Sequence, residues 1–239
     1  MKKLLFRLIF LSISLFTSSI VKSQVLISIL FGKKLNTDKL EFGLAVGMNY
    51  AGLTNLEAKY RPGINLALYF NWKISENFFF HPEASPKFTF GAKDIQPYSL
   101  GDPGLDSLFK TGKVKRSLKY IGVPLLARYR VKGLFFVLAG PSVNLRVNAN
   151  DEFKTKVNGQ ELTYENKVKD QYAAFEIGLS GGVEWKFRKD KGLGLSLRYY
   201  HGLTSVLSDN AVRQRNSAFQ IIMSIPIGVG KNPEHETAK

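Results

Sequence analysis

The chain has no cysteine, only three histidines and only two tryptophans in 239 residues. Without a thiol there is no disulfide, no thiolate metal site, no cysteine nucleophile and no N-terminal cysteine to carry a lipid. Three imidazoles are too few to suggest a dedicated transition-metal cage. After the first two dozen residues the chain also lacks any uninterrupted apolar run of about 18, so no further membrane helix is expected. Acid is in short supply: 19 Asp+Glu stand against 34 Lys+Arg, for a formal charge of +15. Apolar residues are plentiful at 44%, which excludes a disordered polyampholyte.

Residues 1–23 read as a secretory signal peptide. Lys2, Lys3 and Arg7 form a positive head, Leu8 to Val21 an apolar stretch, and Val21 and Ser23 the smallish residues before a cut at Gln24. Such a stretch is too short for a membrane anchor, which needs about 20 residues. Export argues against nucleic acid as the partner of the positive charge, and acidic lipid head groups suit it better.

From residue 41 the pattern alternates with period two. Segments 41–50, 63–73, 78–90, 118–130, 135–147, 174–187, 193–202 and 218–229 each set an apolar face against a small or polar one. These are eight strands of the length a tilted strand needs to cross a bilayer. Short connections (Lys73 to Asn77, Val131 to Gly133, Arg188 to Lys191) alternate with long ones (51–62, 91–117, 148–173, 203–217). That rhythm belongs to an outer-membrane barrel, with short periplasmic turns and long outward loops. The expected fold is all-β: an eight-stranded antiparallel up-and-down transmembrane β-barrel. The expected organisation is a signal peptide (1–23), a periplasmic lead (24–40), the barrel (41–230) and a polar tail (231–239).

One face of every strand is nearly free of charge. The other carries Glu41, Lys73, Glu83, Lys87, Arg128, Arg130, Arg146, Glu176, Glu184, Lys186 and Arg198. A cation facing lipid at mid-bilayer costs about 2–4 kcal/mol, so this face is expected to point inward as an ion-paired plug. Inward Gly178, Ser180 and Gly182 would leave room for long Arg and Lys stems. Tyr50, Trp72, Phe78, Tyr129, Trp185 and Tyr199 lie near strand ends, where interface aromatics belong. A soluble lipocalin-like barrel would turn the faces the other way; the signal peptide and loop rhythm oppose it. Pro82, Pro86, Pro124, Pro141 and Pro226 fall within the strands, where proline removes a ladder donor. They are expected at bulges or beyond the bilayer rim.

The run Tyr120-Ile-Gly-Val-Pro-Leu-Leu-Ala-Arg-Tyr129, followed by Leu138-Ala-Gly-Pro141, resembles the PorT-family outer-membrane β-barrel domain of the Bacteroidetes. Gly178 to Val183 and Leu195 to Tyr200 are similar to its closing strands, so the likeness covers about residues 40–230. It implies the outer membrane of a Gram-negative, Bacteroidetes-like bacterium and a link to secretion or envelope assembly. Two departures stand out: Gly122 replaces a frequent acid, and the chain does not end on an aromatic residue after its last strand.

Chemistry has few candidates. His81 and Glu83 share an inward face and His201 lies near Ser205, the material for a membrane-embedded lipid hydrolase. No third group is placed beside either, and ordinary interior and rim histidines are the expectation. Gly228-Val-Gly-Lys231 lacks the spacing and the following Ser/Thr of a phosphate loop. Asp94, Asp102 and Asp106 match no calcium pattern, and Glu161 and Glu165 read as part of an exposed hairpin extension. No catalytic, cofactor-binding or metal-ligating residue is therefore named, and no cofactor is expected. The expected role is structural or interaction-based, with the loops as working surface. Outer-membrane lipid and lipopolysaccharide are the expected partners, with protein contacts through the loops and no nucleic acid; a small pore is a further alternative.

Overall fold

The computed structural model describes residues 37, 39–188, 192–209 and 212–227. The expected signal peptide, nearly all of the lead, the Gly228–Lys231 run and the polar tail lie outside the described residues. The elements in chain order are β1 (Leu40–Leu53), β2 (Arg61–Lys73), β3 (Phe78–Ile95), helix α1 (Pro103–Phe109) and β4 (Lys113–Lys132). They continue with β5 (Phe135–Val157), β6 (Gln160–Lys167), β7 (Phe175–Lys186), β8 (Gly194–Gly202) and β9 (Asn216–Pro226). No helix among the described residues is long and apolar enough to cross a membrane.

Eight antiparallel strands close a ring. β1 pairs with β2, β2 with β3, β3 with β4, β4 with β5, β5 with β7, β7 with β8, β8 with β9, and β9 with β1. Beside its pairing with β4, β5 is long enough to serve two further neighbours on its other edge. Phe135–Leu145 pairs with β7 inside the ring, while Asn150–Val157 turns back on β6 as a hairpin that rises above it. The expected hairpin around Glu161 and Glu165 is thus a regular extension of the barrel wall. β3 and β4 also run on beyond their expected limits, to Ile95 and back to Lys113.

The outward face is the apolar one. Met48, Ile64, Ile121, Val143, Ile177, Leu197 and Ile221 are all exposed, while Glu41, Glu83, Arg128, Arg146, Glu176, Glu184, Lys186 and Arg198 are buried within the ring. In water this arrangement would leave a contiguous apolar band that no monomer tolerates; against hydrocarbon it is the stable one. Trp72, Phe78, Tyr129 and Trp185 lie toward the turn end of this band, with Tyr50, Tyr199 and Phe219 toward the loop end. On β4 the outward positions from Tyr129 up to Lys119 span ~33 Å of strand, or ~25 Å of height at a tilt of about 40°.

Three of the eleven charges expected inside are not buried. Lys73 sits at the turn end and pairs with Glu76 at 2.7 Å. Arg130 is half-buried at the same rim, its guanidinium over the rings of Phe79 and Phe136. Lys87 is exposed because β3 carries an extra residue there. The register slips by one between Ala84 and Lys87 against β2 and between Ser85 and Phe88 against β4, so a bulge around Pro86–Lys87 reverses the alternation beyond it. Phe88 and Phe90, expected outside, are buried at 4% and 0% exposure. β5 does the same at Val147, and Ala149, Asp151, Phe153 and Thr155 turn inward.

Both bulges flank the same level, where Tyr120 of β4 pairs with Phe88 and Arg146. Below it this wall is apolar outside and polar inside; above it, the reverse. The inversion marks where bilayer ends and water begins.

Prolines meet the expectation only in part. Pro86 lies in the β3 bulge and Pro226 at the end of β9. Pro82, Pro124 and Pro141 remain in paired positions opposite Leu125, Ser142 and Leu179. Beside Pro124 and Pro141 the β4–β5 ladder is interrupted between the pairs Pro124–Ser142 and Ala127–Ala139, then resumes in the same register. Missing donors cost local pairing without a bulge.

Candidate functional site: a filled lumen under a loop crown

The turn half of the lumen is an ionic plug. Nζ of Lys186 donates to both oxygens of Glu41 at 2.7 and 2.9 Å, and Asn71 Nδ2 and the Tyr69 hydroxyl donate to Glu41 Oε1. Arg128 makes a two-pronged bond to Glu184 at 2.9 and 3.0 Å, with its guanidinium 3.4 Å above the Phe136 ring. Arg198 donates to Glu83 Oε1 at 2.6 Å, and His81 links Glu83 to Asn71. Three acids thus meet three bases across the ring. Charges taken out of water are tolerable only when matched in this way.

Above the plug lies a belt of amides and phenols. Asn144 Nδ2 donates to the Tyr200 hydroxyl at 2.8 Å, Asn216 Nδ2 to Glu176 Oε2 at 2.9 Å, and Gln220 Nε2 to Asn49 Oδ1 at 3.1 Å. Gly178 and Gly43 make room for rings rather than for the Arg and Lys stems expected from the sequence, and Gly182 lets the Leu197–Arg198 backbone of β8 approach. A side chain at Gly178 would occupy the Tyr200 phenol, and one at Gly43 the Tyr69 phenol.

The loop half is an apolar core. Phe90 stacks on Tyr200 at 4.7 Å and meets Phe88 edge-on at 4.4 Å, joined by Val114, Leu118, Tyr120, Ala149 and Phe153. The loops close over it. Asp102 caps α1 by accepting from the N–H groups of Gly104 and Leu105, and α1 inserts Phe109 against Phe153 and Tyr164. Val168 and Tyr172 enter from the β6–β7 connection and Val206 from β8–β9. At the crown, Arg116 grips Asp151 with two bonds, the Tyr98 hydroxyl donates to the same carboxylate at 2.7 Å, and Asn166 donates to Tyr98 at 3.1 Å. Burial, and then Asp151, push the Tyr98 phenol up to about 12, so it stays a donor at physiological pH. One bond network ties β4, β5, β6 and the β3–β4 loop together.

Eight strands thus close a ring with an apolar exterior around an ionic and aromatic interior. Residues 31–208 match the family described as "Outer membrane protein beta-barrel domain". The chain belongs to that family. This outer-membrane barrel is similar to the attachment invasion locus protein Ail of Yersinia pestis, at 10% identity and TM-score 0.43, covering 79% of this chain and 98% of that one. Neisserial surface protein A is 10% identical with TM-score 0.41, over 77% of this chain and 96% of that one. The outer membrane protein OprG from Pseudomonas aeruginosa is 13% identical with TM-score 0.34, over 78% and 91%. No curated protein matches in sequence.

The residues weighed for chemistry find other work in this barrel. His81 is 1% exposed and spends both ring nitrogens inside the plug. His201 stacks on Tyr199, while Ser205 Oγ accepts from Leu207 N–H; no bond joins His201 to Ser205 among the described residues. Asp94 pairs with Lys59 at 3.0 Å, Asp102 caps α1, and Asp106 accepts from Ser99 and the Leu100 N–H. The three aspartates serve three separate local structures, and no metal-binding cluster of His and acid occurs among the described residues.

Ser99 and the Leu100 amide hold the Asp106 carboxyl below its ordinary range. A depressed carboxyl contributes stability that is present above its unfolded pKa and lost as pH falls through the folded one. Protection of the Leu100 amide from hydrogen exchange is therefore expected to persist at neutral pH and to fall away in acid, below the usual Asp range. In Asp106→Asn, protection should be weaker and flat with pH. An acid-sensitive profile surviving in that variant would assign the effect elsewhere.

Arg116, Asp151, Tyr98 and Phe109 are absent from the sequence expectations. Their segments read there as loop, and uniform alternation in the last barrel residues concealed the reversals at Pro86–Lys87 and Val147.

Proposed function

We propose that this protein is a non-conducting, non-enzymatic interaction barrel, anchored in the outer membrane and working through its loop crown. The carrying observation is the lumen: an ionic plug occupies its turn half and an aromatic core its loop half, which supports a closed interior, whereas the crown is a platform tied together through Arg116, Asp151 and Tyr98. That platform offers an open groove of about 400 Å³ lined by Lys113, Lys154, Lys156 and Glu161. A second, of about 600 Å³, is lined by Phe175, Leu203, Arg213 and Arg215. The sealed position of His81 and the separation of His201 from Ser205 support the non-enzymatic part.

In planar bilayers the protein is expected to give no stepwise conductance; regular steps would support the pore instead. Photo-crosslinking groups placed at Leu162 and Tyr164 on intact cells should give discrete adducts, and one at Glu76 on the turn side should not. Absence of adducts from the crown positions would overturn the working-surface reading.

Within the wider family we propose a kinship with the PorT-like barrels of Bacteroidetes, for which the likeness of Tyr120 to Tyr129 and Leu138 to Pro141 is the support. On that kinship its partners belong to secretion or envelope assembly. Deleting the gene should then change the set of proteins released to the medium, and an unchanged set would remove the secretion link.

A further inference from the structure

The polarity inversion leaves lysines at one height on one wall. On β4 the outward residues descend as Lys113, Lys115, Ser117 and Lys119, then become apolar at Ile121 and remain so to Tyr129. Lys119 is therefore the first charged residue above the apolar band, ~25 Å above the turn-end aromatics. The bulge turns Lys87 of β3 to the same outward side, next to Leu66 of β2. Thr89 faces Lys119 across the β3–β4 ladder, so the two lysines occupy diagonal positions on neighbouring strands, within reach of one ligand. Neither has an ion-pair partner among the described residues. Lys115, two positions above Lys119, has only a long 3.9 Å contact with Glu152, which Lys154 approaches more closely at 3.2 Å.

On the opposite wall the outward strand residues at the rim are the aromatics Tyr50, Phe219, Tyr199 and Phe175, and the cations there, Arg213 and Arg215, belong to the β8–β9 connection and line the groove beside Phe175. A pair of ammonium groups at the edge of the apolar band, Lys87 level with Leu66 and Lys119 one outward position above Ile121, matches an amphiphile that carries phosphate on its head and acyl chains below it. We propose that Lys87 and Lys119, with Lys115 above them, bind the phosphorylated head group of an outer-leaflet glycolipid whose acyl chains lie on the β2–β4 wall. The inference rests on the membrane position of the apolar band and not on the loop crown as working surface. Its failure would leave the crown reading untouched, and the reverse also holds.

The test uses the protein purified from outer membranes in detergent, with bisphosphorylated lipid A as probe and native mass spectrometry to count bound copies. Wild type is expected to retain lipid A and to lose it when the phosphates are removed from the probe. Each lysine near an anionic head group is worth about a factor of five, so Lys87→Gln combined with Lys119→Gln should weaken binding about 25-fold. Lys87→Arg with Lys119→Arg should restore it, and Lys154→Gln with Lys156→Gln, on the crown, should leave it unchanged. Heat-dependent electrophoretic mobility verifies that each variant is a folded barrel. Equal binding of phosphate-free lipid A, or full retention by the double Gln variant, would overturn the proposal. Displacement by millimolar inorganic phosphate would also overturn it, by making the pair a free-anion site.

Discussion

Replacing Arg128 by Ala is expected to destabilise the barrel by about 3–5 kcal/mol, because Glu184 would be left charged and partnerless at 1% exposure. The guanidinium also covers the rings of Phe136 and Phe79, so the substitution removes packing along with charge. Arg128→Met together with Glu184→Leu tests the cause. If the cost is uncompensated charge, the double variant should regain most of the lost stability, since apolar residues of similar volume often replace a buried pair without penalty. Urea unfolding in detergent micelles checks this directly, with Trp72 and Trp185 at the turn-end girdle as fluorescent reporters. Additive losses in the double variant would mean that the two side chains act independently.

Phe90→Ala should cost a comparable ~3–5 kcal/mol, the range for emptying an aromatic site in a packed core. Phe90 is completely buried between Phe88, Tyr120 and Tyr200. The loss should appear first at the crown, as faster proteolysis within 96–112, because Phe109 and Tyr98 rest on the same apolar mass through Phe153. Lys87→Ala, three residues earlier on the same strand, should stay within about 0.5 kcal/mol of wild type, as an exposed side chain does. Continued alternation predicts the opposite order, with Lys87 inside and Phe90 outside. The two variants thus read the bulge directly.

What was legible in the sequence is what period two encodes. All eight ring strands were marked by alternation, their order by short and long connections, and the facing of most charges by the price of a cation in hydrocarbon. Glu41, Glu83, Arg128, Glu184, Lys186 and Arg198 meet inside the ring as their spacing implied. Alternation is blind to one inserted residue, however. Pro86–Lys87 and Val147 each reverse the parity of everything beyond them, and no local residue type announces a bulge unambiguously. The same blindness left 91–95, 113–117 and 148–157 as loop, because a strand above the membrane has its apolar side inward and no longer continues the pattern below. Arg116 with Asp151 could not be anticipated for a further reason. The residues lie 35 apart in sequence and meet only through the β4–β5 register.

β3, β4 and β5 rise well past the bilayer, with β5 continuing ~25 Å beyond Val147 at the usual strand tilt, whereas β8 stops at Gly202. The mouth of the barrel is therefore slanted like a cut reed. A large molecule diffusing over the cell can reach the low lip beside β7, β8 and β1 only by descending through the surface sugars. The tall side, tipped by β6, rises further from the membrane and meets such a visitor first.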